Sequence, residues 1–381
     1  MVASEPREVV APRDRRYIPT FDGWRAVAIT VVMLQHSSDQ ITAAVGSWIE
    51  PGTNLFRENG RLGVAIFFAI SGYLITSLLL DEFDRSGSAS LRAFYVKRAF
   101  RILPPLLVVL ATFGVLGLTG VIPIPLGKWL GSLLFVQNYT PGGSWYLGHF
   151  WSLAVEEQFY VIWPILLVVC RPRRALRVCA GLIVAVALWR FVDLHNGITA
   201  SSPLHFDDRT DTQLDGLLWG CLLAMTCRAP AVRDIVGRVT RGWRWWVLLA
   251  ALVASQAAQA DSAWGESAQR AVRPLLIGLI VVGTALAPAT PIGRVLELPA
   301  LRWVGRISYS LYLWQQLFLT WDGFEARRLE WVQWFPLSVA AAFTMAYLSH
   351  RFVERPTTAY GRRLAGRVRT EPRAEAHLRS R

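Results

Sequence analysis

Residues 149–160 read HFWSLAVEEQFY and run directly into the uncharged apolar stretch VIWPILLVVC. A histidine and two adjacent carboxylates at the mouth of such a stretch are costly to hold in a membrane, so they point to function before structure. Counting outward from Arg171 at the inner boundary, Glu156 lies roughly 22 Å from the cytoplasm and His149 roughly 10 Å beyond it, at the helical rise of 1.5 Å per residue. Adjacent helical residues point about 100° apart, so Glu156 is expected to face a cavity while Glu157 pairs elsewhere or reaches water.

A second constellation is FDGWRAVAITVVMLQH at residues 21–36. With Arg25 at the cytoplasmic mouth of the first apolar run, His36 follows eleven residues on, or about 16 Å further along a helix. It is thus expected deep in the membrane, at the depth of Glu156. An imidazole titrates near neutrality and can take a proton from a hydroxyl without the large pKa shift that a buried lysine or carboxylate needs. The structural alternative is a histidine bonded to a neighbouring helix. A third constellation, FYVKRAFRILPP at 94–105, sets Lys97, Arg98 and Arg101 ahead of Pro104 and Pro105. Proline suits the first turn of a helix, so the cluster is expected on an inner loop at a helix mouth. There it can bind phosphate by charge-assisted hydrogen bonds or serve as a positive-inside anchor.

The elements that must hold these groups follow from composition. Of 381 residues 53% are hydrophobic and 18% charged, and apolar runs of spanning length recur from Trp24 to Phe352. The expected fold is an all-α, polytopic membrane protein with ten spans at 24–42, 62–80, 102–122, 149–170, 178–194, 212–227, 245–260, 274–289, 307–321 and 332–350. A net charge of +13 raises the question of nucleic acid. The basic residues alternate by loop instead, and 31 of the 40 Lys and Arg residues, counting Arg25, fall on one side. That asymmetry puts both termini in the cytoplasm, with anionic lipid and an anionic cosubstrate as the attracted partners and no nucleic acid. Tryptophans gather near run ends (Trp129, Trp145, Trp243, Trp245, Trp246, Trp321, Trp331, Trp334), where amphipathic rings favour the interface, though some serve helix packing.

The first twenty residues are polar and lack a small-residue cleavage site, so the first run is expected to be retained as an anchor. Residues 1–20 form a cytoplasmic segment, 21–356 a single membrane domain, and 357–381 a basic, disordered tail. The apolar piece WLGSLLFV within 123–148 is expected to re-enter the membrane or lie along it. Cys170, Cys179, Cys221 and Cys227 lack metal-ligand spacing and are read as packing residues, with no metal and no bound cofactor expected. No P-loop or dinucleotide fingerprint is present, so any phosphate must be held by side chains.

Taken together the motifs resemble those of acyltransferase family 3, the integral-membrane O-acyltransferases, from about Phe21 to Pro356. The resemblance rests on the Arg25-to-His36 spacing, FFAISGYLI at 67–75, VKRAFRILPP at 96–105 and HFWSLAVEEQFY at 149–160, with weaker support from TQLDGLLWG at 212–220, ISYSLYLW at 307–314 and VERP at 353–356. It implies transfer of an acyl group, often acetyl, from acyl-CoA to a hydroxyl, frequently on an envelope glycan or glycolipid, by a multi-pass protein of the cytoplasmic membrane. It also implies His36, Glu156 and Glu157 as catalytic groups and Arg25, Lys97, Arg98 and Arg101 as the acyl-CoA site. Ser71, His149, Ser152, Asp215 and Tyr309 are further motif residues. Two departures concern the acceptor: Gln213 and Gln315 stand where family members often carry arginine and histidine. Many members carry a fused extracytoplasmic esterase-like domain, and the chain is read as the form without it.

The expected mechanism places CoA phosphates on Lys97, Arg98 and Arg101, passes the pantetheine arm by Arg25, and sets the thioester near His36, with Glu156 holding the imidazole. Rival readings are the same chemistry on a macrolide-type small molecule, or a proton-coupled transporter or flippase with His36, Glu156 and Asp215 as its proton path.

Overall fold

A computed structural model describes residues 17–257, 262–319 and 327–379. All regular structure among them is helical. In chain order the α-helices are α1 (Pro19–Val45), α2 (Glu50–Asn59), α3 (Arg61–Ser86), α4 (Leu91–Leu118), α5 (Leu126–Leu133), α6 (Trp145–Gly148), α7 (Phe150–Asn196), α8 (Thr210–Thr226), α9 (Pro230–Val239), α10 (Trp243–Ala257), α11 (Ala263–Leu286), α12 (Pro291–Leu296), α13 (Pro299–Phe318), α14 (Leu337–Ser349) and α15 (Arg355–Arg379). Four described stretches are long and apolar enough to cross a bilayer: Ser47–Ser86, Leu91–Leu118, Trp145–Asn196 and Ala263–Leu286. Their length and composition, with backbone groups paired inside each helix, make this a membrane protein.

Each of the ten expected spans falls mainly on a helix, and the boundaries follow local chemistry. The expected spans 149–170 and 178–194 are two arms of α7, divided at Arg171, whose φ of 60° and ψ of 157° leave the helical region. Pro172 follows directly, and a residue before proline is driven out of the α conformation. Helix α4 differs more. It starts at Leu91, where Ser90 accepts from the Ala93 amide at 3.3 Å, so Lys97, Arg98 and Arg101 lie inside a helix and not on a loop before one. Pro104 and Pro105 are interior, each removing one backbone donor. Next to this break Tyr309 Oη donates to the Ile102 carbonyl at 3.0 Å.

The bundle is knit by close backbone crossings. Helix α3 packs on α8, α8 on α7, and α1 on α13. A Cβ on Gly72 would lie 1.9 Å from the Leu217 carbonyl oxygen, and one on Gly220 2.3 Å from that of Ala69. Helix α13 is interior, with Leu311, Leu313 and Trp314 all buried. WLGSLLFV becomes the short helix α5, held by the Trp129 indole donating to the Leu110 carbonyl at 2.9 Å and by Gln158 Nε2 donating to Phe135 at 2.8 Å. Among the tryptophans Trp243, Trp246, Trp331 and Trp334 are exposed, Trp145 and Trp245 are buried in the bundle, and Trp321 lies outside the described residues.

The tail departs from the expected disorder. Helix α15 runs from Arg355 to Arg379 and packs on α4, with the Tyr360 and Phe100 rings 5.2 Å apart and Ala365 and Val368 buried. Composition counted few large apolar residues there, but their helical spacing gathers Tyr360, Ala365 and Val368 against one neighbour.

Candidate active site

Three cavities lie along the bundle. At one end of the bundle, termed the inner end, a cavity of about 420 Å³ is lined by Arg85, Lys97, Arg98, Arg101 and Arg362, with Glu82 and Tyr17 among its other walls. Its cations come from α3, α4 and α15, so the tail that sequence reading left unstructured contributes one of them. Arg98 and Arg101 also line a middle cavity of about 80 Å³. A helical spacing of three residues puts both on one face of α4.

The middle cavity is organised by Arg98. Its Nη2 stands 3.7 Å from Glu156 Oε1 and 3.9 Å from Glu157 Oε1, and its guanidinium lies over the Tyr160 ring at 3.4 Å. Ser71 and Tyr160 both donate to Glu156 Oε1, whereas Glu157 Oε1 is buried without a hydrogen-bond donor. Arg25, Ser152, Arg306, Tyr309 and Tyr312 are among the other walls. Four arginines, Arg25, Arg98, Arg101 and Arg306, against two carboxylates leave a formal charge of +2 in this space, a setting that favours an anionic or strongly polar guest.

Glu157 is therefore not turned away: the two glutamates straddle one guanidinium, so their 100° separation sends both into the same cavity. Nor does Glu156 hold His36. Arg25 lines the same cavity as Glu156 and Arg98, because α1 begins at Pro19 and buries Phe21, Asp22 and Trp24 before it. Eleven residues of α1 then carry His36 past Glu156 to the level of His149.

There a third, outer cavity of about 240 Å³ is lined by His36, His149, Gln316, Arg61, Asp208 and Trp145, among others. His36 Nε2 lies 3.2 Å from Gln316 Nε2, and His149 Nδ1 is hydrogen-bonded to Gln316 Oε1. The Trp145 ring meets His36 edge-on at 5.5 Å. Tyr312 Oη donates to the His149 carbonyl at 2.7 Å and is hydrogen-bonded to Ser152. Arg61 stacks on Trp151 at 4.9 Å and holds the Phe206–Asp208 turn through the Asp207 carbonyl at 2.6 Å and Asp208 at 3.0 Å. Val64 and Tyr312 line both this cavity and the middle one.

Of the motif residues, Ser71, Ser152 and Tyr309 join the middle cavity and His149 the outer one. Asp215 does something else. It is 2% exposed on α8 and grips Arg190 of α7 through two contacts, at 2.5 and 3.3 Å. Gln213 beside it is half-buried, while Gln315 is wholly buried next to His36. Sequence reading did not single out Gln316, Tyr160 or Tyr312. The tyrosines lay inside recognised motifs, but a glutamine at a helix end carries no local signal.

Cys170, Cys179, Cys221 and Cys227 are free thiols, three of them buried. The acyltransferase-domain family matches residues 18–351. The chain belongs to this acyltransferase family. It is similar to the peptidoglycan O-acetyltransferase OatA of Listeria monocytogenes, 29% identical with 90% of this chain and 56% of the relative aligned. It is also similar to the O-acetyltransferase OatA of Staphylococcus aureus, 27% identical over 90% of this chain and 57% of the relative. The chain thus spans little more than half the length of these relatives. No solved structure matches it.

Proposed function

We propose that the chain is a multi-pass O-acyltransferase of the cytoplasmic membrane that moves an acyl group, most simply acetyl, from acyl-CoA to a hydroxyl of an envelope carbohydrate such as peptidoglycan. The observation that carries this reading is the chain of three polar cavities through an apolar bundle. Arg98 and Arg101 are shared by the first two, and Tyr312 by the second and third. Two unlike substrates, one bearing phosphates and one bearing a neutral hydroxyl, need unlike ends to such a path. The basic inner cavity suits CoA phosphates, since guanidinium groups give charge-assisted, partly bidentate hydrogen bonds. The middle cavity suits the polar pantetheine arm. In the outer cavity the imidazoles suit the hydroxyl, whose proton must leave as its oxygen attacks the thioester. Ten spans with both termini cytoplasmic fit this polarity, because the Lys97 end would then face the CoA pool.

The test is transfer by the purified full chain in lipid vesicles, with radiolabelled acetyl-CoA and soluble peptidoglycan fragments. Label should appear on the fragment with stoichiometric release of CoA, and His36→Ala, inserted and folded, should abolish it. Label on no fragment, with CoA release no faster than in empty vesicles, would refute the reading.

A further inference from the structure

Gln316 stands between the two imidazoles of the outer cavity, and its amide has one donor end and one acceptor end. On one side it meets His149 Nδ1, on the other His36 Nε2 at 3.2 Å. The opposite nitrogens, His149 Nε2 and His36 Nδ1, are buried and make no well-formed hydrogen bond, with the Tyr312 and Leu313 carbonyls beside the His149 ring and Gln315 beside that of His36. Both rings border the cavity. His149 is 4% exposed and is clamped by two further residues: Phe150, with its ring at 4.5 Å, and Tyr312, with its ring at 5.2 Å and its Oη donating to the His149 carbonyl.

A neutral imidazole carries its hydrogen on one nitrogen and a lone pair on the other. An amide oxygen accepts only from an N–H, and an amide NH₂ donates only to a bare nitrogen. Whichever way the amide is turned, it therefore imposes opposite tautomers on the two nitrogens it touches, and so opposite states on the two that it leaves unpartnered. The His149 backbone N–H, 3.4 Å from Gln316 Oε1, sets the direction, because a backbone donor needs the oxygen there. His149 is then protonated at Nδ1 and bare at Nε2, while His36 is bare at Nε2 and protonated at Nδ1.

We propose that Gln316 is a positioning residue that locks His36 and His149 in complementary tautomers, giving the outer cavity one proton acceptor, His149 Nε2, and one donor, His36 Nδ1–H. This deepens the acyltransferase reading and rests on it for its chemistry. As the hydroxyl oxygen bonds to the thioester carbonyl carbon, its proton passes to His149 Nε2. The His36 N–H faces the carbonyl oxygen on which charge develops. The C–S bond then breaks, and the departing thiolate takes the proton back from His149, so the ring ends neutral as it began. In this arrangement His36 is the donor and His149 the base, a division that an amide between two histidines enforces and a carboxylate cannot, because a carboxylate only accepts.

The test uses histidine-labelled full chain in lipid nanodiscs and nitrogen NMR, with and without substitution. Wild type should show both rings neutral with hydrogen at Nδ1. Finding Nε2–H on His149, turned toward the Tyr312 and Leu313 carbonyls, would overturn the assignment. Gln316→Leu should mix the tautomers and lower kcat by about 10²–10⁴, the usual worth of a general acid or base, with the KM for acetyl-CoA unchanged. Gln316→Glu keeps the shape but offers two acceptors, so both rings must present N–H to it. It should lose activity to a similar degree, and wild-type kcat in either folded variant would sink the proposal. If wild type itself transfers nothing, the acyltransferase reading fails, while the tautomer measurement still decides the geometry.

Discussion

Arg98 and Arg101 sit one helical turn apart, yet their surroundings give them different tasks. Arg98 is the counter-charge for Glu156 and Glu157 and stacks on Tyr160, whereas Arg101 lines both the middle cavity and the basic one. Arg101→Ala is expected to act on the donor: its KM for acetyl-CoA should rise by the equivalent of about 1–3 kcal/mol, the range for a charge-assisted hydrogen bond. Desulfo analogues lacking the nucleotide phosphates should show almost no change in binding. Arg98→Ala removes the charge that two half-buried carboxylates share, so turnover and thermal stability should fall together. A clean KM effect for Arg98→Ala, measured alongside unfolding in detergent, would contradict this division.

The other buried pair gives a stability prediction with no catalytic part. Arg190 and Asp215 are 3% and 2% exposed, and each neutralises the other. Removing one partner of such a pair costs about 3–5 kcal/mol, whereas replacing both with apolar groups is often neutral. Arg190→Leu and Asp215→Leu should each lower the melting temperature markedly, and the double variant should recover most of the loss. A double variant worse than both singles would mean that the pair has a role beyond mutual neutralisation.

At the scale of elements, the crossing of α3 and α8 decides where the middle cavity's residues meet. Gly72 and Gly220 let the two backbones touch, as small residues do between membrane helices. A side chain at either point must push the helices apart, and overpacking typically costs about 1–3 kcal/mol. Gly220→Val should therefore destabilise the protein and also reduce turnover, because Ser71, one residue before Gly72, would move from Glu156. Gly181, whose added Cβ would meet nothing within 4 Å, is the control: Gly181→Val should leave both melting temperature and activity close to wild type.

For the whole molecule, polarity is the vulnerable quantity. The basic cavity draws on Arg85, Lys97 and Arg362 at one end, and the histidines sit with the Phe206–Asp208 turn at the other. Epitope insertions at Gly87 and at Gly142, both turn glycines with positive φ, should report opposite sides. In intact spheroplasts the Gly142 tag should bind antibody and the Gly87 tag only after permeabilisation. The reverse pattern would put the basic cavity outside and remove acyl-CoA as its guest.

Sequence by itself determined the helical membrane fold, the segments that form it, and most of the polar residues that converge. Ionisable groups in an apolar run are conspicuous because burying them is expensive, and helical rise converts spacing into depth. Arg25 to His36 and Glu156 to His149 were each legible as offsets of this kind. What only the tertiary structure decided was how those offsets align. Depth along one helix has no common zero with depth along another until backbones pack, and α1 is shifted toward the His149 end relative to what the position of Arg25 implied, so His36 meets His149 and not Glu156. Rotation was equally hidden: both glutamates meet one guanidinium because the Arg98 side chain reaches them from α4. The prolines of α4 read as a helix start, since sequence could not show that neighbouring helices would hold the chain helical through them. The tail read as unstructured for the related reason that its few apolar residues gain nothing until α4 is beside them. Gln316 was invisible for the simplest reason, being an amide whose significance lies wholly in the two rings that folding places at its ends.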